Sequence, residues 1–174
     1  MTIPQWQWKA VLFVSVFLSC VSFSVVMPSL WPYLRALGSN QQFLAWVVAA
    51  YSIGEAVGAV LFGWLSGGRQ TRDIMLLATV VGLVGSVLYI AAESFPGSVM
   101  GPALVLAGRS LQGMWTGGSQ AVQQSHLAKT LPHDELTSST VVLNSFACLG
   151  FIFGPAIALV AAVIPPFTVP GLPF

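Results

Sequence analysis

Long uncharged, apolar stretches and short polar interruptions alternate along the whole chain. Residues 10–34, between Lys9 and Arg35, carry no charge and are rich in Val, Phe, Leu and Ser. A second stretch, Phe43 to Ser66, holds one charge, Glu55, and a third, Ile74 to Ala92, holds none. The fourth, Val99 to Gln123, holds Arg109, and residues 136–174 lack Asp, Glu, Lys, Arg and His. Each reaches the roughly 20 residues with which an α-helix crosses a bilayer core about 30 Å thick. The pattern predicts an all-α membrane protein with spans at about 10–30, 43–66, 74–92, 99–123 and 137–164. One transmembrane domain, residues 1–174, accounts for all of them.

Helix breakers place the boundaries. Pro28 and Pro32 are expected to close the first span and Gly67-Gly68 the second, while Pro96-Gly97 separates the third from the fourth and Pro165-Pro166 ends the fifth. Asp73 and Asp134 stand where a helix N-terminus favours an acid. Residues 164–174, with Pro165, Pro166, Pro170 and Pro173, leave no room for a sixth helix, so the chain is expected to be the incomplete N-terminal half of a larger protein. Trp6, Trp8, Trp31, Tyr33 and Trp64 fall near span ends, where amphipathic rings favour the headgroup region. Trp46 and Trp115 sit deeper, either packed or lining a cavity, packing being the simpler reading.

Composition agrees with the pattern. The chain is 56% hydrophobic and 6% charged, against roughly 25% charged in ordinary soluble domains. Lys9, Arg35, Arg69, Arg72, Arg109 and Lys129 are scattered singly, which excludes the clustered basic face that nucleic-acid binding needs. Cys20 and Cys148 lie inside apolar runs and read as small core hydrophobes. A cytosolic N-terminus puts Lys9, Arg69, Arg72 and Lys129 on the cytosolic side and Arg35 alone opposite, the distribution that retained basic loops favour. A cleaved signal peptide fits the first span poorly, because its apolar part is too long and no small-x-small site follows.

Two charges fall near the centres of spans. An ionised side chain there costs about 2.5–3.5 kcal/mol even on insertion scales, so it must face a partner or water. A carboxylate in that position can take up a proton or cation, and a guanidinium can hold an anion. Glu55 and Arg109 are therefore the candidate substrate or proton-coupling residues, with a structural ion pair between spans as the plainer alternative. Small residues recur at helix-packing spacing: Ala50, Gly54 and Gly58, then Gly113 and Gly117, then Gly150 and Gly154, with Pro155 adding a break in the backbone ladder. His126 and His133, near Lys129, Asp134 and Glu135, read as a solvated fourth loop. No phosphate-cradling loop, nucleophile elbow or zinc spacing occurs, so no enzyme activity, cofactor or metal is expected.

Three segments together resemble the major facilitator superfamily. Gly63-Trp64-Leu65-Ser66 followed by Arg69 and Arg72 looks like that family's loop between its second and third helices, although Gly67 stands at the acidic position and Gln70 at the later glycine. Arg109-Ser110-Leu111-Gln112-Gly113, continuing to Gly117-Gly118, resembles its arginine and glycine motif, often linked to proton coupling. Gly150-Phe151-Ile152-Phe153-Gly154-Pro155 is similar to the fifth-helix motif of exchangers. Residues 23–34 and 46–52 look like the lysosomal branch associated with a childhood ceroid lipofuscinosis. Ser22 and Ser24 stand where many proton-driven drug exporters carry an acid, and the N-terminal tail has no acidic dileucine signal.

The resemblance implies a half bundle of a secondary transporter, proton-coupled, acting on a small solute in a lysosomal or other endomembrane. Its partners would be the lipid bilayer, protons and a missing C-terminal half or another membrane subunit. The alternative is a truncated multispan protein that regulates a partner without transport of its own.

Overall fold

The computed structural model describes residues 5–163. The expectations for residues 164–174, including the end of the fifth span, lie outside the described residues, as does that for the Trp6 side chain. The chain runs through α1 (Gln5–Ala36), α2 (Gln41–Leu65), α3 (Thr71–Ala91), a 3₁₀ turn (Ala92–Ser94), α4 (Met100–Thr130) and α5 (His133–Val163). Among the described residues there is no strand. The shortest of the five, α3 with 21 residues, spans about 30 Å at the α-helical rise, the thickness of a bilayer core.

Helices α1, α2, α3 and α5 are long and apolar enough to cross a membrane. Helix α4 falls short in apolarity, and packing explains it. It lies between α2 and α3, and its buried positions are filled largely by Gly, Ser, Thr, Gln and Arg109. The outer surface carries Val60, Ile90 and Leu159, which suits hydrocarbon because a helix bonds its own backbone internally.

The ends follow local chemistry. Asn40 caps α2, its side chain accepting from the Phe43 N–H at 2.9 Å. Asp134 and Glu135 occupy the first turn of α5, and Lys129 the last of α4. Contrary to the sequence expectation, Pro28 and Pro32 lie inside α1. The helix is carried through them because Leu30, Leu34 and Leu37 are buried in a cluster with Val47, Ala92 and Val105. It stops instead at Gly38 (φ 82°). There Gly38 N–H donates to Arg35 O and Ser39 N–H to Leu34 O, both at 3.0 Å, closing a Schellman motif.

The five helices form two groups. Helices α2 and α3 pack closely on α4, and α1 packs closely on α5, while contacts between these groups are slight. Glycines set the close approaches. A Cβ on Gly54 or Gly58 would strike the α4 backbone at Ser110 or Met114, and one on Gly113 or Gly117 would strike α2 at Tyr51 or Glu55. Gly150 and Gly154 face α1 at Phe17, Cys20 and Ser24 in the same way.

Candidate functional site

Arg109 projects into the interior at the seam between the two groups and is only 1% exposed. Gly108 and Gly113 on either side of it let α3 and α2 approach, bringing Ser86 and Tyr51 to the guanidinium. Nη1 donates to Gln112 Oε1 at 3.1 Å. Gln112 Nε2 donates in turn to Ser86 Oγ at 3.3 Å, so the arginine is tied to α3 through its neighbour one turn on. Tyr51 donates its hydroxyl to Thr116 Oγ1 at 2.8 Å, and Thr116 donates to Gln112 O at 3.0 Å.

Two aromatic faces also meet the charge. The guanidinium carbon lies 4.7 Å from the ring centre of Tyr51 and 5.4 Å from that of Phe23. Those rings are 4.4 Å apart. Such a contact is worth about 2 kcal/mol when desolvated. Arg109 Nε and Nη2 have no hydrogen-bond partner among the described residues. A small chamber of about 20 Å³ is lined by Arg109 with Ser19, Ser22, Tyr51, Ser86 and Trp115 among others. Ser19, Ser22 and Trp115 also line a groove of about 710 Å³ along α1, whose remaining wall includes Val11, Val14 and Leu18.

Glu55 is elsewhere. It is half-buried in a separate groove of about 370 Å³ with Ser52, Gln120 and Gln124. The mutual ion pair considered from the sequence is not formed; among the described residues the one ion pair joins Lys9 to Glu135 at 3.0 Å. Glu55 is level with Gly117, more than two turns along α4 from Arg109.

The remaining sequence candidates divide by place. Gln112, Gly113 and Gly117 surround or abut the arginine network, and Gly150 and Gly154 seat α5 on α1. Gly63 is half-buried and loosely packed, with Ala121 Cβ 3.9 Å from where its own Cβ would be. Arg69, Arg72 and Pro155 are exposed. Near that loop Lys129 Nζ donates to Ser66 O at 2.9 Å, a link between the α2 and α4 ends that its position in the sequence did not reveal.

Three readings are corrected, those of Cys148, Trp46 and His126. Cys20 is buried but Cys148 is exposed on α5. Trp46 is 68% exposed, neither packed nor lining the chamber. Trp115 is as expected, packing on Gly82 while it also lines the chamber. His126 belongs to α4 rather than to a loop, with its ring edge-on to Trp8 at 5.4 Å. Phe23 and Tyr51 are the functional candidates that sequence reasoning missed; a tyrosine hydroxyl in mid-span needs a partner, and that was the available signal.

Apolar helices around a buried, aromatic-caged guanidinium define a multi-pass α-helical membrane protein with an internal polar chamber. The Major Facilitator Superfamily matches the chain over residues 12–172. The chain belongs to that family.

It is similar to a major facilitator superfamily domain-containing protein 8 of Xenopus laevis, 34% identical over 162 residues, which cover 92% of this chain and 31% of the relative. It is also similar to an uncharacterized MFS-type transporter of Bacillus subtilis, 23% identical over 152 residues, covering 87% of this chain and 28% of the relative. An MFS-type efflux pump of Pseudozyma antarctica is 24% identical over 148 residues, covering 84% and 26%. The chain thus spans less than a third of the length of these relatives. No solved structure matches it.

Proposed function

We propose that this chain is the N-terminal part of a proton-coupled secondary transporter of small solutes, completed by a second half or another membrane subunit. The observation that carries the reading is the Arg109 guanidinium, sealed within apolar helices with two donors unpartnered among the described residues, its side chain lining a chamber that shares Ser19, Ser22 and Trp115 with an open groove. A charge so costly to bury marks a solute or ion path. Relatives named as a transporter and an efflux pump support it. In this reading Arg109 answers to the solute or proton, and Glu55, in its groove with Gln120 and Gln124, carries the proton. Access would alternate between this helix bundle and the second half that completes it.

The proposed orientation has the N-terminus in the cytosol. Lys9, paired with Glu135, and Lys129, bonded to Ser66, lie at the same end as the turn bearing Arg69, while Arg35 lies at the other. The proposed membrane is lysosomal, on the likeness of residues 23–34 and 46–52 to that branch. The solute crosses without covalent change.

The test uses the protein from the full coding sequence in proteoliposomes holding a pH-sensitive dye, challenged with a panel of organic anions, cations and neutral solutes. Saturable proton movement that depends on one solute class and is lost in Arg109→Gln and Glu55→Gln is the expected result. Proton movement indifferent to both substitutions overturns the reading.

A further inference from the structure

We infer that the Arg109 chamber and the adjoining α1 groove together take an amphiphilic carboxylate, its head on the guanidinium and its apolar body along α1. The inference rests on the transporter reading and names the solute class.

Three observations converge. First, the unpartnered atoms of Arg109 are Nε and Nη2, while Nη1 is engaged by Gln112. Nε and Nη2 form one edge of the planar fork, and two parallel N–H donors on one edge match the two oxygens of a carboxylate. Second, the chamber is small. Its volume of about 20 Å³ holds about one or two water-sized groups, which suits a carboxylate head and excludes a bulky phosphate ester. Among the described residues no carboxylate side chain lines it to repel an incoming anion; Glu55 faces a different groove.

Third, the chamber shares Ser19, Ser22 and Trp115 with the groove along α1. At about 710 Å³ the groove lies within the roughly 300–1,000 Å³ typical of small-molecule sites. Val11, Val14 and Leu18 make its wall apolar. A charged fork at the narrow end and an aliphatic wall beyond it select a molecule with the same division. Because the chamber lies on the seam between the two helix groups, with Phe23 supplied by α1 and Tyr51 by α2, a head seated on Arg109 would touch both groups.

Octanoate is the probe. Its binding to the full chain in detergent is measured by calorimetry beside octanol, octylamine, octyl phosphate and acetate. Circular dichroism and size exclusion check the fold of each variant. One-to-one saturable binding of octanoate is expected, at least tenfold tighter than octanol or octylamine. Arg109→Gln weakens it at least tenfold, and Arg109→Lys, which keeps the charge and loses the fork, weakens it less. Val14→Trp fills the groove without touching the arginine and weakens octanoate at least fivefold while leaving acetate unchanged. Should the arginine variants misfold, this variant alone decides.

Octanol binding as tightly as octanoate overturns the inference, as does unchanged octanoate affinity in folded Arg109→Gln or Val14→Trp. Tighter binding of octyl phosphate also overturns it, in favour of a phosphate-bearing lipid head. Octanoate binding without proton-linked transport refutes only the transporter reading. Transport of another solute class with no octanoate binding refutes only this inference.

Discussion

The carbonyl of Glu55 on α2 occupies the space that a side chain on Gly117 of α4 would need. Gly113 stands in the same relation to the Tyr51 carbonyl. Backbone cannot swing aside as a flexible side chain can, so a methyl group at either position separates the helices. Gly117→Ala and Gly113→Ala should each destabilise the protein by about 1–3 kcal/mol, the usual cost of overpacking. Gly63→Ala, with its nearest neighbour at 3.9 Å, should stay within about 0.5 kcal/mol. Thermal unfolding in detergent separates the two cases, and equal losses at all three positions would refute the close-approach account.

Arg109 gives the opposite kind of prediction. A buried charge with two free donors is a burden on the fold, and replacing such groups with apolar residues of similar volume is often neutral or stabilising by about 1–4 kcal/mol. Arg109→Met should therefore unfold at the same temperature or higher while abolishing proton-linked transport. A loss above about 2 kcal/mol would mark the guanidinium as a packing keystone instead.

Tyr51 separates the ring from the hydroxyl. Tyr51→Phe keeps the aromatic face over Arg109 and removes only the 2.8 Å bond to Thr116. Thr116 retains its own bond to Gln112 O, so the expected cost is about 0.5–1.5 kcal/mol. Tyr51→Leu should cost more, because the face goes as well. Chemical denaturation of both variants checks the order; if Phe costs as much as Leu, the ring contributes nothing.

On the α1–α5 side, a Cβ on Gly154 would overlap the Ser24 hydroxyl. That hydroxyl shares its one proton between Cys20 O at 2.8 Å and Gly150 O at 3.1 Å. Gly154→Ala should destabilise by about 1–3 kcal/mol, and adding Ser24→Gly should return part of it, since neighbouring sites couple. Strict additivity in the double mutant would sink the contact.

Sidedness has its own test. Gly68 has open space around it and Glu93 is exposed at the other end of α3. In a chain freed of Cys20 and Cys148, Gly68→Cys should react with a membrane-impermeant thiol reagent only from the cytosolic side and Glu93→Cys only from the opposite side. Labelling of both from one side would refute the orientation.

Helix existence was legible because single charges punctuate otherwise apolar runs. Ends were less so: the local tendency of Pro28 and Pro32 to stop α1 yielded to the burial of Leu30 and Leu34, which appears only once four helices meet. Facing was least legible. Runs apolar all round give no phase, so Cys148 and Trp46 look like core in sequence and stand on the outside in space. Arg109 announced itself by isolation, while its cage could not, because Phe23 and Tyr51 come from separate helices and resemble ordinary span residues.

Helix α4 also has a history written into its composition. Emerging from the ribosome with Arg109 and few residues fit for lipid, it has little reason to leave the insertion machinery by itself. Its neighbours α2 and α3 are made first and offer it the surface that oil cannot. Entry into the bilayer and assembly of these three helices should then be coupled, whereas the main packing partner of α1 is the last of the five helices to be made.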